Sequence, residues 1–248
     1  MLNELRVQIS RRLSSYTKSR IRTRLYLSGL LTPKAVEKLV IDAVRTDGAD
    51  YFLQIGAHDG QYADPLNLAV NTTGLRGVSV EPNPIYFGKL KGTYRAVEGM
   101  TFVNAGVSDS QGQLTLYTFD ANDPAIPAWL HGSSSFSRAE VASRAQRVPG
   151  AEARIREITV PLVSVSELLS TCAKPPSIIV LDAEGFDAII LRQFDFASLA
   201  PTMVIYESEA MTPEDAQDIE AMFIAASYRI LRLGQDTVAI HSRSKLLV

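Results

Sequence analysis

Cysteine is almost missing: the chain of 248 residues has one, Cys172. No disulfide can close within the chain, and a cysteine-based metal site is excluded. Long apolar runs are missing too. None approaches the roughly 18–20 residues of a membrane span, so stable membrane insertion is not expected. The first residues lack the apolar core and cleavage site of a secretion signal. A reducing cytoplasm is the expected setting. Net charge is small, −2, with a pI near 6.0. That argues against nucleic acid as the main partner.

Hydrophobic residues make up 46% of the chain, enough to bury the core of one large α/β domain. Charge is placed unevenly. Residues 1–30 hold Arg6, Arg11, Arg12, Lys18, Arg20, Arg22 and Arg24 against Glu4 alone, +6 there and −8 for the remainder. Leu5, Ile9 and Leu13 recur at helical spacing. Residues 1–31 are therefore expected to be a basic helical extension, acting as a cap, a lid or a homodimer contact. Residues 32–248 are expected to form the main domain.

The most informative stretch is Tyr51–Gly60, YFLQIGAHDG. An apolar strand breaks into small residues and then feeds a helix, the ligand-cradling turn of a doubly wound sheet. About twenty residues on, a second strand, Arg76–Val80, ends in Glu81, at the distance where a carboxylate accepts ribose hydroxyls. Pro82 and Pro84 stop that strand and open a helix. Met100–Val107 reads as a third strand and Gln113–Phe119 as a half-exposed one. Residues 120–154 break the rhythm as an irregular insertion with an Arg-rich end, functional or disordered at that length. Ile155–Pro161 resumes the pattern. Ser177–Leu181 and Thr202–Tyr206 read as buried central strands. Tyr228–Leu233 and Thr237–Ser242 are joined so closely that they must pair as an antiparallel hairpin.

The expected fold is α/β: a doubly wound, mostly parallel, seven-stranded Rossmann-like sheet closed by a C-terminal antiparallel hairpin. The hairpin and the loop Gly56-Ala57-His58-Asp59-Gly60 speak against a nicotinamide site, whose fingerprint is G-x-G-x-x-G. S-adenosylmethionine fits better. It has no pyrophosphate, and it needs backbone groups for its amino-acid end and an acid for its ribose.

Several stretches in the right order carry a resemblance: QIGAHDG (54–60), VEPNP (80–84), FVNAGVSD (102–109), SSF (134–136), VPLVSVSELL (160–169), IIVLDAEGFDAIIL (178–191) and PTMVIYESE (201–209). The chain resembles the FkbM-type S-adenosylmethionine-dependent methyltransferases over roughly residues 50–210. The resemblance implies that Gln54, Gly56, Ala57, His58, Asp59 and Gly60 bind the cofactor, with Glu81 on its ribose. It also implies that Pro82, Asn83, Asn104 and Ala105 lie near the adenosine. Gln54 stands where the family usually has Asp, and His58 where it usually has Asn. Ser133, Ser134 and Ser135 of the insertion are candidates to touch cofactor or acceptor, with Ser135 assigned to the cofactor.

Four carboxylates close the fourth and fifth strands: Asp182 and Glu184, then Glu207 and Glu209. Such crowding calls for a cation, whether the sulfonium, a basic substrate or a divalent ion suited to oxygen ligands; a metal is not expected. Asp182 is the leading candidate for base or acceptor-orienting group, with Glu184 and His58 as further catalytic candidates. His131, Glu207 and Glu209 are candidates for the acceptor pocket. Asp187 and His241 read as structural, and Trp129 as packing the insertion down. The expected activity is O-methylation of a hydroxyl on a sugar or secondary metabolite. N- or carboxyl-methylation, or a cofactor-binding module without turnover, are the alternatives.

Overall fold

Branched apolar runs placed between helices leave a strand little choice but to be buried on both faces, and the central strands are. The computed structural model describes residues 35–247. The basic helical extension expected over residues 1–31, as cap, lid or dimer contact, lies outside the described residues.

In chain order the elements are α1 (Ala35–Asp47), β1 (Tyr51–Ile55), α2 (Asn67–Thr73), β2 (Arg76–Val80), α3 (Pro84–Thr93) and β3 (Thr101–Val103). Then come β4 (Gly106–Val107), β5 (Gly112–Thr118), α4 (Ala128–His131), α5 (Arg138–Ala145), β6 (Arg156–Val163) and α6 (Val165–Thr171). The chain continues with β7 (Ile178–Leu181), α7 (Asp187–Leu191), α8 (Phe196–Leu199), β8 (Met203–Glu207), α9 (Pro213–Ala225), β9 (Tyr228–Leu233) and β10 (Asp236–His241).

The main sheet has seven strands in the order β3-β2-β1-β7-β8-β10-β9. The first five run parallel, and β10 is antiparallel to both β8 and β9. Chain order reverses between β1 and β7, so a crevice opens at the carboxyl ends of those two strands.

Two apolar layers cover the sheet. Phe52, Ile178 and Val180 pack with Leu39 and Val40 of α1 on one side. Leu53, Ile179 and Leu181 pack with Leu168, Ile190 and Phe223 of α6, α7 and α9 on the other. Phe52 and Leu53 are wholly buried; each such side chain contributes roughly 1.5–3 kcal/mol. Helix starts are fixed locally. Ser164 and Glu167 form a reciprocal capping box on α6. Asn83 and Thr212 cap α3 and α9, with Pro84 and Pro213 at the first helical positions.

Two expectations change. Met100–Val107 is not one strand. The Asn104 side chain donates to the carbonyls of Glu81 (2.8 Å) and Pro82 (3.1 Å), and the chain turns there. β3 stays in the main sheet, while β4 joins a second sheet of order β4-β6-β5. The helix that follows the glycine loop begins only at Asn67, because the Asp64 carboxylate takes the Leu66 amide at 2.8 Å and is buried. The insertion is partly regular: it carries α4 and α5 over a small core of Phe119, Ile126, Leu130, Val141, Ala145 and Ala151. Among the described residues, no helix is long and apolar enough to cross a membrane.

Candidate functional site

β1 ends at Gly56, whose φ is +81°. A side chain there would put its Cβ 1.8 Å from the Asp182 carbonyl oxygen, so only glycine fits between the ends of β1 and β7. The amides of Gly56 and Ala57 both donate to the Val80 carbonyl at 3.0 Å. Glu81 completes the tie between the two strand ends. One carboxylate oxygen accepts the His58 amide and the other the Asn83 amide, each at 2.8 Å. Glu81 is 4% exposed, and burial pushes its pKa up to about 7 against the pull of those two amides.

A cavity of about 550 Å³ opens at these strand ends. Gly56, His58, Glu81, Pro82, Ala105 and Ser135 line its cradle side. Asp182, Glu184, Glu207 and Glu209 line its floor. Carboxylate oxygens of Asp182, Glu184 and Glu207 lie within 4.8 Å of one another, spacing that would admit a divalent cation. Asp182 is accessible from the cavity although protein surrounds it on most sides. Burial, then Glu184 and Glu207, raise its pKa well above the usual carboxylate range. Burial and the neighbouring Glu184 and Asp187 push Glu207 up to about 7, with Arg144 opposing. One oxygen of Glu207 is buried with no hydrogen-bond partner among the described residues. Glu209 accepts from Gln235 at 2.7 Å.

The loop after β7 is shaped by its own residues. Glu184 has φ +50° and Gly185 φ +98°. Buried Asp187 accepts the Ala183 amide at 3.2 Å, the structural role expected of it. The insertion then docks on this loop. Arg144 of α5 pairs with the Glu184 carboxylate. The Ser135 hydroxyl donates to the Glu184 carbonyl at 2.9 Å. Phe136 meets Phe186 edge to face, centroids 5.3 Å apart. The Ser134 hydroxyl reaches Thr118 (2.8 Å) and accepts from Asn83 (3.3 Å), tying the insertion to the cradle as well.

His58 has φ +49°, and its ring stacks on Tyr86 with centroids 3.9 Å apart. Lys89 sits over the same Tyr86 ring at 4.7 Å. Burial lowers the His58 pKa, with Lys89 adding to that and Asp59 and Glu184 opposing. Its Nδ1 stands 3.4 Å from Asp59 Oδ1.

Most of the other residues singled out in the sequence lie outside the cavity lining. Gln54 is buried, donating to Asp64 at 3.1 Å and accepting from Ser79 at 3.3 Å. Ala57 packs into the core under the sheet. Asp59 caps its own turn by accepting the Gln61 and Tyr62 amides at 2.9 Å. Gly60 packs against Tyr94. Asn83 and Asn104 hold the loop after β2 in shape. His131 Nε2 contacts the Asp123 carbonyl at 3.1 Å within the insertion. Trp129 is not packed down: it is 43% exposed and lines the cavity. Sequence reasoning missed Arg144, Phe136 and Tyr86. The Arg-rich end of the insertion was a signal for the first, but nothing local marked which arginine returns to the site.

The donor set fits a cationic, ribose-bearing ligand. Glu81 faces the cavity and keeps lone pairs beyond those its two amides use. The floor is crowded with carboxylate, and Glu207 has an oxygen left for a ligand's N–H or O–H.

A sequence profile of the Methyltransferase FkbM domain matches residues 54–230. No curated protein matches the chain in sequence. Among solved structures, the chain is similar to a methyltransferase FkbM from Methylobacillus flagellatus KT, at 12% identity and TM-score 0.48, covering 78% of this chain and 43% of that one. It thus spans less than half the length of that protein. It is also similar to an O-methyltransferase from Bacillus cereus solved in complex with SAH, at 14% identity and TM-score 0.44, covering 92% and 91%. A third is a precorrin-6y C5,15-methyltransferase from Geobacter metallireducens GS-15, at 11% identity and TM-score 0.41, covering 86% and 91%.

Proposed function

Given that the chain belongs to the FkbM methyltransferase family, we propose that it is an S-adenosylmethionine-dependent O-methyltransferase acting on a hydroxyl of a sugar or other secondary metabolite. When bound, the cofactor supplies an electrophilic methyl group on a sulfonium. Glu81 would hold the ribose, and Gly56, His58, Pro82, Ala105 and Ser135 would wall the rest. Gln54, Ala57, Asp59, Gly60, Asn83 and Asn104 keep those walls in place from behind.

The observation that carries the reading is the recessed carboxylate cluster. Asp182 sits on the cavity floor among like charges, which raises its basicity when ionised. A neutral alcohol attacks slowly until its proton has somewhere to go. The Asp182 carboxylate accepts that proton, while Glu184, pinned by Arg144, orients the loop. His58 lines the cavity beside them, with neither ring nitrogen hydrogen-bonded among the described residues. Glu207 and Glu209 would contact the acceptor, with His131 shaping the insertion behind it. The small net charge supports a small-molecule acceptor rather than nucleic acid.

A second reading is favoured by the same floor: a cationic amine acceptor would offset the carboxylates and satisfy the free Glu207 oxygen. Paired assays separate the two. Methyl transfer from radiolabelled S-adenosylmethionine to methyl pyranosides supports the first; transfer to alkylamines alone sinks it. Binding of S-adenosylhomocysteine without transfer to any acceptor would leave only the non-catalytic module. Calorimetry with NAD against S-adenosylhomocysteine tests the cofactor itself.

A further inference from the structure

The loop after β1 has two sides. Gly56 and His58 face the cavity; Asp59 and Gly60 face a buried polar network that the proposed chemistry does not use. The network starts on the sheet. Gln54 and Ser79 are paired neighbours on β1 and β2, and the Ser79 hydroxyl donates to the Gln54 carbonyl. The Gln54 amide donates to one oxygen of buried Asp64. The Tyr94 hydroxyl lies 3.0 Å from the other Asp64 oxygen and 3.1 Å from the Gly60 carbonyl, so its single hydrogen serves both. Asn67 donates to the same Gly60 carbonyl at 2.5 Å. Next door, the Thr93 hydroxyl donates to the Asp59 carbonyl at 2.7 Å.

Packing reinforces the bonds. A Cβ at Gly60 would lie 2.7 Å from the Tyr94 ring, so the loop backbone rests directly on that ring. The end of α3 therefore grips the carbonyls of Asp59 and Gly60, while the amides just before them hold the strand ends: His58 donates to Glu81, and Gly56 and Ala57 to the Val80 carbonyl. A loop held on its outer side presents its inner side without further ordering, which lowers the cost of binding.

We propose that Tyr94 and Thr93, backed by Asp64 and Gln54, are positioning residues for the cofactor: they set the shape of the loop from outside the cavity and touch no ligand. This rests on the S-adenosylmethionine reading. It also gives Gln54 a role, as the sheet-side anchor of the network rather than as a partner of the ligand.

The test uses the full chain and S-adenosylhomocysteine as probe. Tyr94→Phe keeps the ring and removes the hydroxyl; affinity by calorimetry should fall about five- to tenfold, the value of one or two hydrogen bonds. Thr93→Val should act the same way, and Thr93→Ser should restore binding. In turnover assays the KM for S-adenosylmethionine should rise while kcat at saturation stays within about twofold, a split that general loss of stability does not produce. The control is Tyr228→Phe. That hydroxyl donates to the Pro201 carbonyl at 2.8 Å, is equally buried, and lies at the other end of the sheet. It should lower the melting temperature and leave affinity unchanged. Wild-type affinity in both Tyr94→Phe and Thr93→Val, or a loss no greater than in Tyr228→Phe, overturns the proposal with the cofactor reading intact. A wild-type protein that does not bind S-adenosylhomocysteine overturns both.

Discussion

The two halves of the cavity are held in opposite ways. On the cradle side, the charged group that matters is satisfied by the backbone: both oxygens of Glu81 already take amides. On the floor, Asp182, Glu184 and Glu207 crowd together, and the guanidinium that answers them, Arg144, comes from the insertion. The cradle's acid is already held by the backbone before any ligand arrives, which suits a ligand that never changes. The floor is electrostatically frustrated, which suits a group that must take up or give up a proton. One half spends its hydrogen bonds on shape and the other keeps them for chemistry.

The comparison can be broken at its hinge. Gly56→Ala drives a Cβ into the Asp182 carbonyl, where both halves meet. More than about 4 kcal/mol of stability should go, and little folded protein should be recovered. A soluble variant with a wild-type melting temperature would show that the halves are less tightly joined. Asp182→Asn acts on the floor alone. Turnover should drop at least about 100-fold while affinity for S-adenosylhomocysteine stays within about threefold. Equal rates would remove the base assignment. Glu81→Ala acts on the cradle alone. Two charge-assisted hydrogen bonds are lost, and S-adenosylhomocysteine affinity should fall by about ten- to hundredfold in calorimetry. Unchanged affinity would take away the ribose assignment.

The smallest effect concerns pH. Glu207 has a folded-state pKa of about 7 against 4.5 for the free side chain. A raised acid favours folding while it is protonated, and that advantage fades as pH climbs from below 4.5 through 7. Thermal melts should therefore show Glu207→Gln gaining a few degrees at pH 8 and nothing at pH 4. A gain of equal size at both would mean that packing, not charge, is responsible.

Much of this was readable from the chain. The runs 51–55, 178–181 and 203–206 are mostly apolar, and 76–80 alternates around Val78 and Val80; each gives way to small or acidic residues, so both the parallel sheet and the acids at its strand ends follow from local pattern. The hairpin follows from its short link. What was hidden depends on distant partners. Segment 112–118 pairs with 156–162 across the whole insertion, and nothing in either strand names the other. Met100–Val107 looks continuous because its break is made by the Asn104 side chain bonding to Glu81 and Pro82. For Gln54, which the resemblance assigns to the cofactor, nothing local shows that its side chain bonds Asp64 and Ser79. Strand alternation turns it instead to the face that holds Asp64 and Tyr94.

The chain contains one tryptophan, and the fold leaves it half open on the cavity wall. Leu130, the next residue, is wholly buried in the insertion's own core, so the indole is carried on a fixed base but not sealed. The protein thus comes with a built-in optical reporter. Its ultraviolet emission reads out the polarity of one spot on the cavity wall, and titrations of any occupant can be followed without attaching a dye.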